Sequence, residues 1–355
     1  MAFGVYVHVP FCKRRCDYCA FATWTDRAHL IDAYLAAGRL QATRVAADMD
    51  QVTSVFVGGG TPTLVPPESL LDVLSPLPLA ADAEVTIEAN PDDVTPALAG
   101  VLVRGGVTRV SLGVQSMVPH VLGALGRTHD PANVRRAVEL LRGAGVRGLN
   151  VDLIYGAAGE STTDWERTLV EALSLGPDHV SAYALTVEAG TPLYDDPARH
   201  PDDDDQADKY LLADRLLGGE GYDNYEISNW ARPGHECRHN LLYWSQGEYI
   251  GLGCAAHSHR DGRRWWSVRT PERFIAAIEA GQPVEAGSEQ LTAHDRELEV
   301  LQLQVRTSAG VPAESVAGEV AHLVQVGADG RARLTVEGRL LANEVAVRLR
   351  VPPLR

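Results

Sequence analysis

Cys12, Cys16 and Cys19 fall within eight residues, in Phe11-Cys12-Lys13-Arg14-Arg15-Cys16-Asp17-Tyr18-Cys19. The spacing is C-x3-C-x2-C, on a loop that follows a first strand-like run, Val5–Val9. Thiolates are the usual protein ligands of iron–sulfur clusters. Three of them hold three irons of a cubane and leave the fourth open to a small molecule. Lys13, Arg14 and Arg15 alongside are expected to favour the thiolate form. The competing chemistry is structural zinc, which closes its tetrahedron with four ligands; His8, inside the strand, would have to be the fourth. A disulfide with one thiol to spare suits a reducing compartment badly.

A second set of polar residues stands where strand-like runs end. Gly58-Gly59-Gly60-Thr61-Pro62 follows the second run, and glycines let backbone amides approach a ligand closely. Glu88 ends the third run, Gln115 the fourth, Arg127 lies beyond it, and Asp152 lies within the fifth. Singly these read as a salt-bridging carboxylate, a loop-capping amide or a surface guanidinium. Together they make a ring of hydrogen-bonding groups suited to an amino acid, a ribose and an adenine. Further along, His235, Cys237 and His239, with Cys254, His257 and His259 downstream, have the composition of a second metal site, although no C-x2-C or H-x3-H pair organises it.

The elements that must position these residues alternate. Apolar runs Val5–Val9, Ser54–Val57, Glu84–Glu88, Arg109–Gln115, Leu149–Tyr155 and His179–Val187 read as buried parallel strands with little alternation. Helical stretches separate them. Leu30, Ile31, Tyr34, Leu35 and Leu40 share one face of the first. Thr95-Pro96 and Asp130-Pro131 start helices, Thr163 with Glu166 fits a capping box, and Gly145 and Gly176 stop them. Six βα units imply an incomplete barrel, an α/β fold of the TIM-like (βα)6 kind, though a doubly wound sheet gives the same local pattern. Three regions follow: 1–220, the barrel with its cysteine loop; 221–289, a polar, aromatic and histidine-rich segment; and 290–355, a small α+β unit. Asp202 to Asp205 reads as a solvated loop ahead of a helix around Asp208–Leu217. A helix around Glu297–Val305, a hairpin at Asp329-Gly330 and a helix near Arg339–Leu349 suggest a winged-helix-like terminal unit that packs rather than reads DNA.

Bulk properties bound the class. The chain has 355 residues, 45% hydrophobic and 22% charged, with a net charge of −15 and no basic run. Nucleic-acid binding is excluded on that footprint. No apolar stretch approaches the roughly 20 residues that span a bilayer, and no charged region and cleavage site of a secretory signal opens the chain. Five cysteines, three of them clustered, point to metal or catalysis in the cytoplasm rather than to a disulfide framework.

The cysteine spacing, with Tyr18 before the last thiol, resembles the signature of the radical S-adenosylmethionine (SAM) superfamily. The resemblance implies a [4Fe–4S] cluster on Cys12, Cys16 and Cys19, SAM chelated to the open iron, and electron transfer that cleaves SAM to a 5′-deoxyadenosyl radical. The glycine turn resembles that superfamily's GGTP element. The wider spacing resembles the oxygen-independent coproporphyrinogen III oxidase family over nearly the whole chain. By that resemblance Tyr6, Tyr18, Gly59, Gly60, Thr61, Glu88, Gln115, Arg127 and Asp152 contact SAM.

Two departures separate the chain from the true oxidases. Ala20 and Phe21 stand where those enzymes carry on to a fourth cysteine, and only five residues precede Tyr6 where they have an extension. Both resemble the haem chaperone branch, the HemW type. His239-Asn240-Leu241-Leu242-Tyr243-Trp244 matches that branch's H-N-x-x-Y-W haem signature at each fixed position. An imidazole is a good axial ligand for haem iron, and the two aromatics would offer flat area beside a porphyrin. The branch implies haem bound at His239, acceptor hemoproteins (respiratory ones foremost) and an electron donor such as flavodoxin or ferredoxin. It implies no porphyrinogen decarboxylation, so no residue is assigned as catalytic; the oxidase activity is the alternative.

Overall fold

A computed structural model describes residues 2–352. Six parallel strands lie side by side in sequence order: β1 (Phe3–Val9), β2 (Val52–Gly59), β3 (Leu79–Ala89), β4 (Arg109–Gln115), β5 (Gly148–Tyr155) and β6 (His179–Ala184). A doubly wound sheet reverses its order at a switch point. Here the order is unbroken, and residues from the loop after β1 and from β2 through β6 line one cavity, so the sheet curls as a partial barrel.

The 221–289 segment supplies both edges of that same sheet. β7 (Asp223–Glu226) and β8 (Asn229–Ala231) form a hairpin antiparallel to β6. β9 (Glu248–Leu252) pairs parallel to β1, and β10 (His257–Arg260), β11 (Arg263–Ser267) and β12 (Glu285–Gln290) continue as an antiparallel meander.

The strands alternate, contrary to the expectation of near-continuous apolar runs. Phe3, Val5, Val7 and Val9 of β1, Val110, Leu112 and Val114 of β4, and Leu149, Val151 and Leu153 of β5 join one apolar core. Their neighbours in sequence face the other side of the sheet, because successive side chains of a strand point oppositely. That inner side carries Tyr6 paired with His8, Glu88 bonded to Gly59 N–H, and Ser111, Asp152, Asn150, Ser181 and His179 joined in one hydrogen-bonded group. The outer row holds the helices; the inner row forms a polar barrel interior.

Helix ends show where local signals were misplaced. The first helix, Ile31–Ala46 after a short 3₁₀ turn, buries Tyr34, Leu35, Gly38, Gln41 and Ala42. Leu40 lies off that stripe and is 42% exposed. The capping box is Ser161 with Asp164, two residues upstream of the expected pair. Asp202 caps the helix Asp203–Gly219, and Asp203, Asp204 and Asp205 form its first turn, where carboxylates favour the helix dipole. β6 stops at Ala184, three residues short of Val187, as the chain turns into the cavity rim.

The terminal unit has its own core around Leu301, Val305, Val311, Leu323, Ala332 and Val345. A helix Ala293–Gln304 precedes β13 (Val311–Pro312), β14 (Val324–Val326) and β15 (Arg331–Leu334), which pair in the order β13-β15-β14. The β14–β15 turn holds Asp329-Gly330, and two short helices, Val336–Leu340 and Ala342–Ala346, end the unit. Arg339 clamps it to the barrel through both oxygens of Asp214, at 2.7 and 2.9 Å. Among the described residues no helix is long and apolar enough to cross a membrane.

Candidate functional site

The cysteine loop leaves β1 at the C-terminal end of the barrel, and the GGGTP turn leaves β2 beside it. Gly60 N–H donates to Val9 O at 2.7 Å and Thr61 N–H to Phe11 O at 2.8 Å, stitching the two loops together. No side chain larger than hydrogen fits here. A Cβ on Gly60 would meet Phe11 O at 2.5 Å and Val9 O at 2.8 Å; one on Gly59, at φ +108°, would meet the His8 ring at 2.5 Å.

Above this turn opens a cavity of about 450 Å³, a size suited to a cofactor. Its wall contains Cys12, Cys16, Cys19, Tyr18, Gly59, Gly60, Thr61, Glu88, Gln115, Arg127 and Asp152. Of the residues expected to contact SAM, only Tyr6 is missing. It lies deeper in the barrel, its hydroxyl 3.1 Å from His8 Nδ1 and its ring stacked on Phe56. The wall adds residues that strand ends alone did not signal: Ser111 and Tyr183 on the inner row, with Phe21, Leu185 and Glu188 at the rim.

Three free thiols, a glycine cradle and a ring of hydrogen-bonding groups suit a cubane with a chelated amino acid. Thr61 Oγ1 donates to Cys12 Sγ at 3.7 Å and Arg127 Nη1 to Cys16 Sγ at 3.6 Å. Arg127 Nη2 also donates to Gly113 O at 2.8 Å, which fixes the guanidinium over the β4 end. The strand breaks there: Gln115 adopts φ +63° at a register shift between β4 and β5, a bulge that turns its amide into the cavity.

Among the described residues no three His, Cys, Asp or Glu side chains meet as a site for a single ion. A cubane offers each thiolate its own iron, so its three sulfurs need not meet at one point; zinc does need that convergence. His8 is no fourth ligand either, with Nδ1 near Tyr6 Oη and Nε2 2.9 Å from Ala22 O.

The adjacent basic residues do not dominate the thiols as expected. Lys13 is engaged by Asp93 at 2.8 Å. Burial pushes the Cys12 and Cys19 thiols up, and the nearby Arg15 lowers Cys19 only partly. Metal binding itself would have to expel those protons. Glu88 is lifted to about 8, first by burial and then by the charge of Asp152, against one hydrogen bond from Gly59 N–H at 3.1 Å. Burial raises Asp152 also, while Ser111, Ser181 and Asn150 lower it.

His239 lies at the other end of the barrel. The helix Arg238–Trp244 packs under the starts of β1 and β2, and a side chain on Gly4 would collide with His239 and Leu242. The imidazole is fully buried, with Nδ1 3.0 Å from Ser54 Oγ and Nε2 2.9 Å from Tyr243 Oη. Burial holds it neutral, its pKa lowered to about 3. In this conformation both imidazole nitrogens are engaged, one by Ser54 of β2 and the other by Tyr243 on the same helix. The neighbouring donors do not form a second metal site: Cys237 faces Glu84, Cys254 accepts from Tyr34, His259 bonds Gly247 O, and His257 stacks on Trp266.

Comparison with known proteins agrees with this geometry. The sequence model of the radical SAM superfamily matches residues 6–172. A relative from Mycobacterium tuberculosis, "Heme chaperone HemW", is 43% identical over 97% of this chain and 93% of its own. A protein of the same name from Escherichia coli K12 is 39% identical, over 80% of this chain and 79% of its own. The solved structure of coproporphyrinogen III oxidase (HemN) from Escherichia coli superposes with a TM-score of 0.86 over 98% of this chain and 89% of that one; at 21% identity it speaks for the fold. At 43% identity to such a relative over 97% of its length, and with the superfamily model matching residues 6–172, the chain belongs to the HemW-type family of radical SAM proteins.

Proposed function

We propose that this protein is a haem chaperone of the cytoplasm, which binds haem and passes it to acceptor hemoproteins, respiratory ones among them. The observation that carries the reading is full-length similarity to relatives named heme chaperones, 43% identical over 97% of the chain. Phe21 adds to it. Where the oxidases have a fourth thiol, this side chain lies in the cavity mouth, 65% exposed, and offers no ligand.

On this reading Cys12, Cys16 and Cys19 hold a [4Fe–4S] cluster, and a flavodoxin- or ferredoxin-like donor reduces it. When bound, the cluster with SAM supplies one-electron reductive chemistry at the cavity. The chain's own residues position the cofactor. The Gly59-Gly60 turn presents backbone, Glu88 and Asp152 accept from its donors, Gln115 and Arg127 close the β4 side, and Tyr18 packs against the loop. His239 is the haem ligand. Its ligation requires one ring nitrogen to be released, either from Ser54 of β2 or from Tyr243 on the same helix.

Haem titration of the anaerobically reconstituted protein tests the proposal. A Soret-absorbing complex with no protoporphyrinogen formed from coproporphyrinogen III supports it. Turnover of the porphyrinogen would overturn it in favour of an oxidase.

A further inference from the structure

Below the cavity, a buried line of hydrogen bonds runs from Asp152 to the outer hairpin. Ser111 Oγ donates to Asp152 Oδ2 at 2.6 Å and Asn150 Nδ2 to Asp152 Oδ1 at 2.8 Å. Asn150 Oδ1 lies 2.6 Å from His179 Nδ1, and His179 Nε2 lies 2.8 Å from Tyr225 Oη.

With Asp152 ionised, the proton directions along this line follow from one another. An amide placed the other way round would set its oxygen against the Asp152 carboxylate, so Asn150 must give its N–H to Asp152 and accept at Oδ1. His179 must then donate from Nδ1. Buried and beside Arg109, the ring stays neutral, so its Nε2 accepts from Tyr225. All donors point the same way, and the line ends in a carboxylate with nothing left to do but accept.

The far end is anchored outside the barrel. Tyr225 lies on β7, its carbonyl accepts from Ser308 N–H at 2.9 Å, and the next residue, Glu226, bridges to Thr307. Ser308 and Thr307 follow the helix Ala293–Gln304 of the terminal unit. A packing unit remote from the cavity thus fixes the first donor of the line.

We propose that His179 and Tyr225 are positioning residues, which orient the Asp152 carboxylate as an acceptor for the hydroxyl groups of SAM and tie its orientation to the terminal unit. The inference rests on the reading of the cavity as a SAM site. Neither residue touches the cavity; both act through Asn150.

Tyr225→Phe removes a single oxygen and leaves the packing, so it is the cleanest probe. SAM affinity is measured by calorimetry on the anaerobically reconstituted, full-length protein, together with the electron paramagnetic resonance spectrum of the reduced cluster with and without SAM. Tyr225→Phe and His179→Phe are expected to weaken SAM binding about fivefold, the worth of one hydrogen bond. His179→Gln, which can still accept at one end and donate at the other, restores affinity to within about twofold. The SAM-free cluster spectrum stays unchanged. In an Asp152→Asn background Tyr225→Phe adds nothing, as coupled residues require. An unchanged affinity in Tyr225→Phe, or an equal loss with and without Asp152, overturns the positioning role alone. An Asp152→Asn variant that binds SAM normally overturns the site reading beneath it.

Discussion

His239 Nδ1 and Ser54 Oγ meet 3.0 Å apart on the barrel floor, whereas Cys12 and Glu88 line the cavity at its mouth. The motif that marks haem handling and the loop that marks cluster chemistry occupy opposite ends of one polar barrel. On the proposed assignments haem loading and SAM binding use different chambers, and His239 must give up a hydrogen bond to Ser54 or Tyr243 to reach iron.

His239→Ala is expected to abolish the Soret complex and to cost about 2–4 kcal/mol of stability, since it empties a buried site and orphans Ser54 and Tyr243. Ser54→Ala should keep the complex and speed its formation, because one of the bonds holding the ring is gone. Stopped-flow haem binding separates the two. A Soret complex of undiminished intensity in His239→Ala would remove this residue as the ligand.

Replacing Cys12, Cys16 or Cys19 singly by Ala should take iron content from about four per chain to near zero after reconstitution. Cys237→Ala and Cys254→Ala, whose thiols are buried beside Glu84 and Tyr34, should leave it unchanged. Iron and sulfide analysis reads both sets.

Gly60→Ala places a methyl group against two carbonyl oxygens of the backbone, which have no rotamer to change. SAM binding should be lost, with destabilisation of about 1–3 kcal/mol seen in denaturant unfolding. Gly143→Ala, where a Cβ meets nothing, is the matched control and should leave SAM binding intact.

Glu88 binds its proton more tightly folded than unfolded, its carboxyl raised from the ordinary 4.5 to about 8. The stability this confers is complete below pH 4.5 and is lost as pH rises through 8. Without SAM, the protein should melt lower at pH 8.5 than at pH 6, and Glu88→Gln should reduce that difference by about 2–4 °C. Equal pH slopes in the two proteins would show that the carboxyl is solvated rather than buried.

Much of the site was legible because chemistry left short signatures in the chain. The cysteine spacing, the glycine turn and the polar strand ends led to eleven cavity residues from Cys12 to Asp152. Tyr6 lies outside the cavity lining, because sequence gives the side of a strand but not its depth in a barrel. Ser111, Asn150 and His179 are masked in the sequence by the apolar residues around them; the period of two on β4, β5 and β6 is the signal that marks them. His239 was recognisable as a motif, but its enclosure depends on Gly4 and Ser54, two residues far away in sequence with no signature of their own. The edge strands β7 to β12 were hidden for a similar reason, since their partners are set by closure of the sheet.

Our proposal is that this chain carries haem rather than oxidising porphyrinogen. It is tested most directly by loading the reconstituted protein with haem, mixing it with an apo-hemoprotein, and following the Soret band and porphyrinogen products together. The band should shift to that of the acceptor, and added coproporphyrinogen III should remain unconverted. Formation of protoporphyrinogen, with no haem leaving the protein, would contradict it.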